Sequence, residues 1–177
     1  MVATVDRTGL PTQAEFHAAI AGYSDRWYSA CLRVTRDADL AQDAVQEALL
    51  SAWNKRHQYE RSARLDTWIH RIAVNAALQL LRKRHPERWG EMPVDVEDDS
   101  PAPDRIHDHH ELEGQLGSAL TRLSDIERTS FVLKHLEQWR LKEIADELDT
   151  SVGTIKQALF RAVKKLRVHM ADLRSAS

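Results

Sequence analysis

The chain has 177 residues, 42% of them hydrophobic and 29% charged, a composition typical of a folded protein with one domain or two small ones. Its longest apolar run has four residues, Ala18 to Ala21, against the roughly 18 that a membrane helix needs, and the first residues lack the apolar stretch of a signal peptide. The single cysteine, Cys31, excludes an internal disulfide bond, so we expect a cytoplasmic protein that inserts into no membrane.

The net charge of −2 conceals a strong segregation of charge along the chain. Residues 55–90 hold 9 basic and 3 acidic side chains, and residues 138–177 hold 8 and 5. Between them, residues 91–113 hold 1 basic and 9 acidic side chains. Because local charge sets the field that a polyanion meets, two basic segments separated by an acidic one keep nucleic acid among the expected partners.

Three helices are predicted before the acidic segment. Thr12 and Glu15 have the spacing of a capping box at the start of the first helix, and Asp37 is placed to cap the second. A polar, basic connection at residues 54–64 leads to a long amphipathic third helix. That helix must end before Pro86, because the residue preceding a proline disfavours helical geometry.

The helical periodicity disappears at residue 91, where prolines and acidic residues dominate. We therefore predict an all-α protein of two small helical domains joined by an acidic flexible linker. The N-terminal helical bundle occupies residues 1–90, the linker residues 91–111, and a C-terminal helix-turn-helix bundle residues 112–177.

Four further helices are predicted after the linker. Leucines at four-residue steps mark residues 112–123, and Ser124-Asp125-Ile126-Glu127 forms a second capping box. Residues 141–148 form a short helix, Asp149 lies in a tight turn, and Ser151 is placed to cap the last helix. This is the spacing of a helix-turn-helix motif, whose second helix enters the major groove of DNA.

The last helix has one apolar and one polar face. We expect its small residues Gly153 and Ala158 to let the backbone approach a groove closely. The buried face is predicted to consist of Val152, Ile155, Leu159, Ala162 and Leu166. The outward face, whose amide and guanidinium groups suit base edges and whose ammonium groups suit phosphates, is predicted to consist of Thr154, Lys156, Gln157, Phe160, Arg161, Lys164 and Lys165. The alternative is a helical domain that merely solvates one face with basic residues.

Two polar patterns stand out in the N-terminal half. On the second helix, Asp39, Asp43, Gln46 and Glu47 share a polar face opposite the apolar stripe. On the third helix, residues 66–84 combine aromatic, amide and cationic side chains on neighbouring turns. This combination suits stacking on unpaired bases while phosphates are held.

In residues and in their order, the chain resembles the extracytoplasmic-function (ECF) sigma factors, the compact two-domain class of promoter-specificity subunits of bacterial RNA polymerase. The resemblance covers about Tyr28 to Arg167. It rests on Asp43-Ala44-Val45-Gln46-Glu47, on Thr67-Trp68-Ile69-His70-Arg71-Ile72-Ala73-Val74-Asn75, on Glu143-Ile144-Ala145 and on Ser151-Val152-Gly153-Thr154-Ile155-Lys156.

The resemblance implies a role for each pattern. The acidic face would dock on the clamp helices of the largest subunit of core RNA polymerase through Asp39, Asp43, Gln46 and Glu47. The third helix and the loop before it would engage the minus-ten promoter element, with Asn75 at a flipped base, while Trp68 serves equally well as a core residue. The minus-ten candidates are Arg64, Trp68, Arg71, Asn75, Gln79, Arg82, Lys83 and Arg84. The minus-thirty-five candidates are Thr154, Lys156, Gln157, Phe160, Arg161 and Lys164.

The resemblance also implies an anti-sigma factor as partner, no enzymatic activity, no cofactor, and association with the nucleoid when the chain is in the holoenzyme. His107-Asp108-His109-His110 is more typical of a polar helix start than of a metal site, so we predict no metal. Cys31 is expected to be a buried, inert thiol. Two alternatives stay open: a sigma-like adaptor that sequesters an anti-sigma factor, and a stand-alone helix-turn-helix regulator.

Overall fold

A computed structural model describes residues 9–89 and 111–175 of the chain, which divides into two compact units, Met1–Arg84 and His85–Ser177. Within the described residues every regular element is helical, which confirms the predicted all-α fold. The stretch expected to form the acidic linker falls almost wholly outside the described residues. No helix in the part of the chain that the structure describes is long and apolar enough to cross a membrane.

The first unit contains three long helices. Helix α1 spans Gln13–Thr35, α2 spans Ala38–Asn54 and α3 spans Leu65–Arg84. A short 3₁₀ turn, Arg56–Gln58, begins the connection between α2 and α3. The predicted end of the third helix before Pro86 is confirmed.

Side-chain caps fix where α1 and α2 begin. The Oγ1 atom of Thr12 accepts a hydrogen bond from the Glu15 amide at 3.2 Å, and the Glu15 carboxylate accepts one from the Thr12 amide at 2.7 Å. The Asp37 carboxylate accepts one from the Leu40 amide at 3.0 Å. Between the two helices Arg36 is left-handed, with a φ of 53°. The predicted capping box and the Asp37 cap are confirmed.

Alanine dominates the core of the first unit. The largest buried side chains include Trp27, Ile69, Leu78 and Leu81, and small residues fill most of the remaining contact surface. Small side chains let helices pack at short interaxial distances. The buried alanines include Ala30, Ala41, Ala44, Ala48, Ala52, Ala73, Ala76 and Ala77.

Two buried hydrogen bonds tie α1 to α3. The indole Nε1 of Trp27 donates to the Asp66 carbonyl at 3.2 Å, and the Cys31 thiol donates to the Ala73 carbonyl at 3.4 Å. Because Cys31 is fully buried and engaged, the thiol has a packing role, as the sequence predicts.

Apart from its long last helix, the second unit consists of short elements. A 3₁₀ turn spans Pro86–Trp89, and four α-helices follow: α4 Glu111–Leu120, α5 Asp125–Phe131, α6 Leu141–Glu147 and α7 Val152–Ser175. After α5 the chain continues without a break into a π-helical turn before it reaches α6.

Charged residues are buried at the start of α5. Asp125 and Arg128 are 6% and 5% exposed, and the Arg128 Nη2 donates to the Asp125 Oδ1 at 2.6 Å. Arg88, in the 3₁₀ turn, places its Nη1 3.5 Å from the second carboxylate oxygen of Asp125. The buried Glu127 accepts a hydrogen bond from the Lys165 Nζ at 2.7 Å, which joins α5 to α7. Each of these carboxylates is thus paired, as buried charges must be.

Candidate nucleic-acid and polymerase interfaces

A pocket of about 260 Å³ lies between α2 and α3 in the first unit. Its volume falls slightly below the ~300 Å³ at which typical small-molecule pockets begin, so it suits one planar ring better than a larger ligand. Both apolar and polar groups line it, which fits a base held by stacking and hydrogen bonds. The polar and aromatic lining consists of Glu47, Ser51, Lys55, Gln58, Trp68, Asn75 and Gln79.

Asn75 lines this pocket and carries an unpaired acceptor. Its Oδ1 atom is buried and accepts no hydrogen bond within the described residues. An unpaired buried polar atom costs about 1–3 kcal/mol, so a donor that reached this oxygen would relieve that cost. A nucleobase edge that presents an N–H group is such a donor, and the Asn75 side chain would have to turn toward the pocket to meet it.

Trp68 both packs and lines the pocket. The ring is half-buried, and its centroid lies 5.3 Å from that of Tyr59 with the planes tilted by 41°. Since Tyr59 belongs to the connection between α2 and α3, Trp68 joins that connection to α3. The two roles considered for Trp68 are therefore compatible.

The predicted cationic side chains of the first unit differ in their hydrogen-bond and ion-pair partners. The Arg64 Nε donates to Asp66 at 2.9 Å, and its Nη2 donates to the hydroxyl of Tyr23. The Arg84 guanidinium lies 3.6 Å from the carboxylate of Asp37. The structure also exposes Arg71 and Lys83 and partly exposes Arg82 on α3. These cations lie along one helix and the connection before it, where phosphates are accessible to them.

The predicted acidic face lies on α2. Asp39, Asp43 and Gln46 are exposed there, and the exposed Glu47 also lines the pocket. Glu47 thus lies between the face expected to bind the polymerase and the site expected to bind a base.

Two apolar side chains extend the exposed surface of α2. Leu50 is 68% exposed. Trp53, expected in the apolar stripe, is 37% exposed; its ring packs edge-on against Phe16 at 5.1 Å and beneath the Arg56 guanidinium at 4.3 Å. Sequence analysis missed Leu50, because an apolar residue within an amphipathic helix gives no local sign of being left exposed.

The helix-turn-helix of the second unit forms as predicted. Between α6 and α7, Asp149 adopts a left-handed φ of 51°, a conformation that aspartate tolerates better than most residues. The Oγ of Ser151 accepts a hydrogen bond from the Thr154 amide at 3.1 Å. The predicted turn and cap are confirmed.

The polar face of α7 is arranged largely as expected. Lys156, Phe160 and Lys164 are exposed, while Thr154, Gln157 and Arg161 are partly exposed. These residues recur at three- and four-residue steps, so they share one side of the helix. The arrangement presents an aromatic ring, an amide and cations together, the groups that contact bases and phosphates.

Two expectations for α7 are wrong. Val152, expected on the buried face, is 36% exposed, whereas Ala158, expected at the groove, is fully buried with Ile155. The buried face therefore includes Ala158 and leaves out Val152, because the small alanine packs where helices approach closely. Lys165 is exposed as expected, and its Nζ also donates to the Glu127 carboxylate.

Sequence analysis also missed three pocket residues, Ser51, Lys55 and Gln58. The basic character of the connection was visible, but which of its side chains turn toward α3 depends on the fold of the connection. No cluster of His, Cys, Asp or Glu within residues 9–89 and 111–175 is arranged to hold a metal ion. The segment His107-Asp108-His109-His110 lies outside the described residues.

Comparisons with known proteins agree with this geometry. A family model described as Sigma-70 region 2 matches residues 19–87, and one described as Sigma-70, region 4 matches residues 113–166. The ECF RNA polymerase sigma factor SigW of Bacillus subtilis is 28% identical, over 85% of this chain and 86% of that protein. The RNA polymerase sigma factor CarQ of Myxococcus xanthus is 30% identical, over 91% of this chain and 92% of that protein.

A solved structure shares the fold. The sigma factor RpoE of Bartonella quintana, crystallised with the anti-sigma factor NepR, superposes with a TM-score of 0.57 at 24% identity, over 89% of this chain and 97% of that one. Both units of the chain thus match sigma-factor regions, in the order that the motifs predict. The chain belongs to the ECF sigma factors of RNA polymerase.

Proposed function

We propose that the two units divide promoter recognition between them, and that each of the surfaces described above has one task. The observation that carries the proposal is the pocket between α2 and α3, in which Asn75 holds an unpaired acceptor beside the Trp68 ring. This site would capture one unpaired base of the minus-ten element. Unpairing a base costs a few kcal/mol, and stacking with pocket contacts returns about 1–3 kcal/mol per base.

Phosphate contacts would hold the strand in register over the pocket. Arg71, Arg82, Lys83 and Arg84 lie along α3, Arg64 immediately precedes that helix, and Gln79 lines the pocket. Contacts to phosphate position a nucleic acid without reading its sequence. Their loss would lower affinity uniformly and weaken its dependence on salt.

The exposed face of α2 would bind the clamp helices of core RNA polymerase. Asp39, Asp43 and Gln46 present carboxylate and amide groups there, and Glu47 adjoins the pocket. A polymerase surface rich in arginine complements such a face, because carboxylates form bidentate pairs with guanidinium groups. The proximity of Glu47 to the pocket would couple polymerase binding to base capture.

Helix α7 would read the minus-thirty-five element as duplex DNA. Gln157 and Arg161 carry the groups that recognise base edges in the major groove, and Lys156 and Lys164 suit phosphates. Thr154 is fixed near the helix start by Ser151. The second unit would thus anchor the complex on paired DNA while the first acts on the opened strand.

The chain acts through binding and performs no bond chemistry in this proposal, and it needs no cofactor. Sigma factors are regulatory, non-catalytic proteins. An anti-sigma factor would hold the free chain inactive, as suggested by the solved relative bound to NepR. We place the chain in the cytoplasm, and at the nucleoid when it is in the holoenzyme.

The proposal predicts that recognition needs the polymerase. Each unit would bind its promoter element weakly on its own. When both units are held on one polymerase, binding by one raises the effective concentration of the other at its element, so the free chain should bind promoter DNA poorly. The test is to purify the full chain with core RNA polymerase, sequence the transcripts made from a promoter library, and repeat this with N75A and R161A. A tight, sequence-specific complex of the free chain with duplex DNA would contradict the proposal.

A further inference from the structure

Arg61 joins the connection between α2 and α3 to the start of the described chain. Its Nε donates to the carbonyl of Gly9 at 3.1 Å, and its Nη2 donates to the carbonyl of Leu10 at 3.4 Å. Its Nη1 donates to the carboxylate of Glu15 at 3.1 Å. One side chain thus contacts three groups that lie 46 to 52 residues away along the sequence.

The conformation of Arg61 shows that these contacts shape the backbone. Its φ is 55°, a left-handed value that costs a residue with a side chain roughly 1–2 kcal/mol. Glycine would avoid this cost, but glycine cannot supply the guanidinium. The three hydrogen bonds therefore offset a backbone conformation that the isolated connection would disfavour.

Glu15 is prepared to receive the guanidinium. Its carboxylate accepts a hydrogen bond from the Thr12 amide, and this bond together with the Arg61 guanidinium lowers the pKa of Glu15 below its usual value. The carboxylate is therefore charged at neutral pH and held in one orientation by the capping box. A carboxylate fixed in this way positions its partner better than a freely rotating one.

A series of contacts through Tyr59 and Trp68 leads from Arg61 to the pocket. The Arg61 guanidinium lies 5.8 Å from the centre of the Tyr59 ring, and the Tyr59 hydroxyl donates to the Ala63 carbonyl at 2.6 Å. The Tyr59 ring packs on Trp68, which lines the pocket. Arg61 itself is not among the lining residues, so its influence on the pocket is indirect.

The anchoring groups lie outside the part of the chain that matches the family model. That match begins at residue 19, whereas Gly9, Leu10 and Glu15 all precede it.

We infer that Arg61 is a positioning residue for minus-ten recognition: by fastening the connection to residues 9–15, it fixes the Tyr59–Trp68 wall of the pocket. The inference rests on the proposed function of that pocket. Removing Arg61 or its anchor would loosen the wall, so the holoenzyme would discriminate less between minus-ten sequences. Recognition of the minus-thirty-five element by α7 would not change.

A direct phosphate contact by Arg61 predicts a different result, and Glu15 separates the two. If Arg61 held phosphate, its removal would weaken binding to every promoter equally, and neutralising the nearby Glu15 would strengthen binding. If Arg61 positions the connection, the E15Q substitution should impair discrimination in the same way as R61A. Glutamine serves in a capping box as well as glutamate does, so E15Q keeps the helix start and removes only the charge.

The experiment uses holoenzyme reconstituted from the full chain and core RNA polymerase. Two promoter libraries, one randomised in the minus-ten element and one in the minus-thirty-five element, are sequenced before and after selection for open complexes. The variants are R61A, R61K, E15Q and the R61A/E15Q double variant. R36A is the matched control, because Arg36 is also exposed and left-handed but lies at the other end of α1.

We expect R61A and E15Q each to reduce minus-ten enrichment about threefold to fivefold, a modest effect because the ion pair is partly exposed. The double variant should be no worse than either single one, and R61K should resemble R61A, because lysine cannot reproduce the forked contacts. Enrichment in the minus-thirty-five library should stay near wild type, as should all results for R36A.

Two outcomes overturn the inference, and they differ in what else they overturn. If the wild type enriches minus-ten sequences and N75A abolishes this, but R61A and E15Q leave it unchanged, Arg61 does not position the pocket and the proposed function stands. If the wild type shows no minus-ten enrichment at all, the proposed function fails and this inference fails with it.

Discussion

The two units offer different surfaces to nucleic acid and hold their helices together with different contacts. The first unit offers a pocket between α2 and α3, and the second offers the polar face of α7. Apolar residues fill both cores, but the first unit packs long helices mainly through alanines, whereas the second also buries the charged pair Asp125–Arg128 and joins α5 to α7 through Glu127 and Lys165.

Each surface suits a different state of DNA. A base that has left the duplex is held best in a pocket that stacks on its face and bonds to its edge, whereas paired bases are reached by a helix in the major groove. The close packing of α2 and α3 brings pocket residues from two helices together. In the second unit, the bond between Glu127 and Lys165 adds to the apolar contacts that hold the long recognition helix α7 on the short helix α5.

The largest effect on stability should come from breaking the buried pair of the second unit. R128M leaves Asp125 with only the more distant Arg88, and an incompletely compensated buried charge costs about 3–5 kcal/mol. The free energy of unfolding, measured by urea denaturation of the full chain, should fall by about this amount. Protection from hydrogen exchange should be lost first in α5 and α7.

The matched control for this prediction is K142M. Lys142 and Asp146 form an ion pair in the same unit, but both side chains are mostly exposed, so its loss should cost less than about 0.5 kcal/mol. Equal effects of R128M and K142M would show that buried charge does not stabilise the second unit, and the contrast between the two cores would be lost.

The largest effect on function should come from the pocket of the first unit. N75A removes the unpaired acceptor, and the loss of about 1–3 kcal/mol of base contacts corresponds to roughly a 5- to 150-fold decrease in open-complex formation. The melting temperature should not fall appreciably, because the Oδ1 of Asn75 makes no hydrogen bond in the fold that the substitution would break.

Gln115, exposed on α4 and outside every surface proposed to bind DNA or polymerase, provides the control for this prediction. Q115A should leave open-complex formation on the same promoter unchanged. A stable N75A protein that initiates as well as Q115A would show that the pocket takes no part in base capture, and the first unit would then lack the function proposed for it.

The local signals in the sequence account for most of the fold. Thr12, Asp37, Ser124 and Ser151 each mark a helix start, because a capping side chain bonds to an amide two or three residues away. Interactions of this range are visible in a sequence. The same holds for the turn at Asp149.

What the sequence does not reveal depends on residues that are distant along the chain. The bond between the exposed Lys165 and Glu127 could not be predicted, since nothing near Lys165 in the sequence indicates that Glu127 will lie within bonding distance. The burial of Ala158 and the exposure of Val152 follow from how α7 packs, because both residue types occur on either side of a helix. The hydrogen bonds of Arg61 likewise join the connection between α2 and α3 to residues 9–15, two segments that no pattern in the sequence relates to each other.

Two substitutions on α7 should have smaller and distinguishable effects. R161A should cost about tenfold on the selected promoter and relax the preference at one base pair of the minus-thirty-five element, because a guanidinium reads a base edge. K164A should weaken binding to all promoters similarly and lower the salt slope by about 1, as expected for a phosphate contact.

The measurement for α7 is open-complex formation on the minus-thirty-five library at several salt concentrations. A change in minus-ten preference on R161A would contradict the division of labour between the units, since α7 would then influence the site that the first unit is proposed to form. If both substitutions act uniformly across the library, α7 binds DNA without reading its sequence.

The smallest expected effect is a difference in how the two units respond to acid. Burial, helped by the neighbouring Lys134, lowers the pKa of His135 in the second unit. The folded second unit therefore binds a proton less readily than the unfolded chain, and its stability should decrease as the pH falls below about 6.5, the usual pKa of histidine. In the first unit, the contacts that lower the pKa of Glu15 stabilise the fold at pH values above those at which carboxyl groups usually titrate. This contribution is lost only at more acidic pH, as the carboxylate is protonated.

The two responses can be followed separately in the full chain through the resolved NMR signals of two buried indole N–H groups, Trp27 in the first unit and Trp139 in the second. Between roughly pH 7 and pH 5, the unfolding midpoint reported by Trp139 should decrease while that reported by Trp27 stays nearly constant. H135Q should flatten the Trp139 response, and H57Q, at an exposed histidine of the first unit, should not. If both indoles report the same pH dependence, the units unfold together, and the differences between their cores do not translate into independent stabilities.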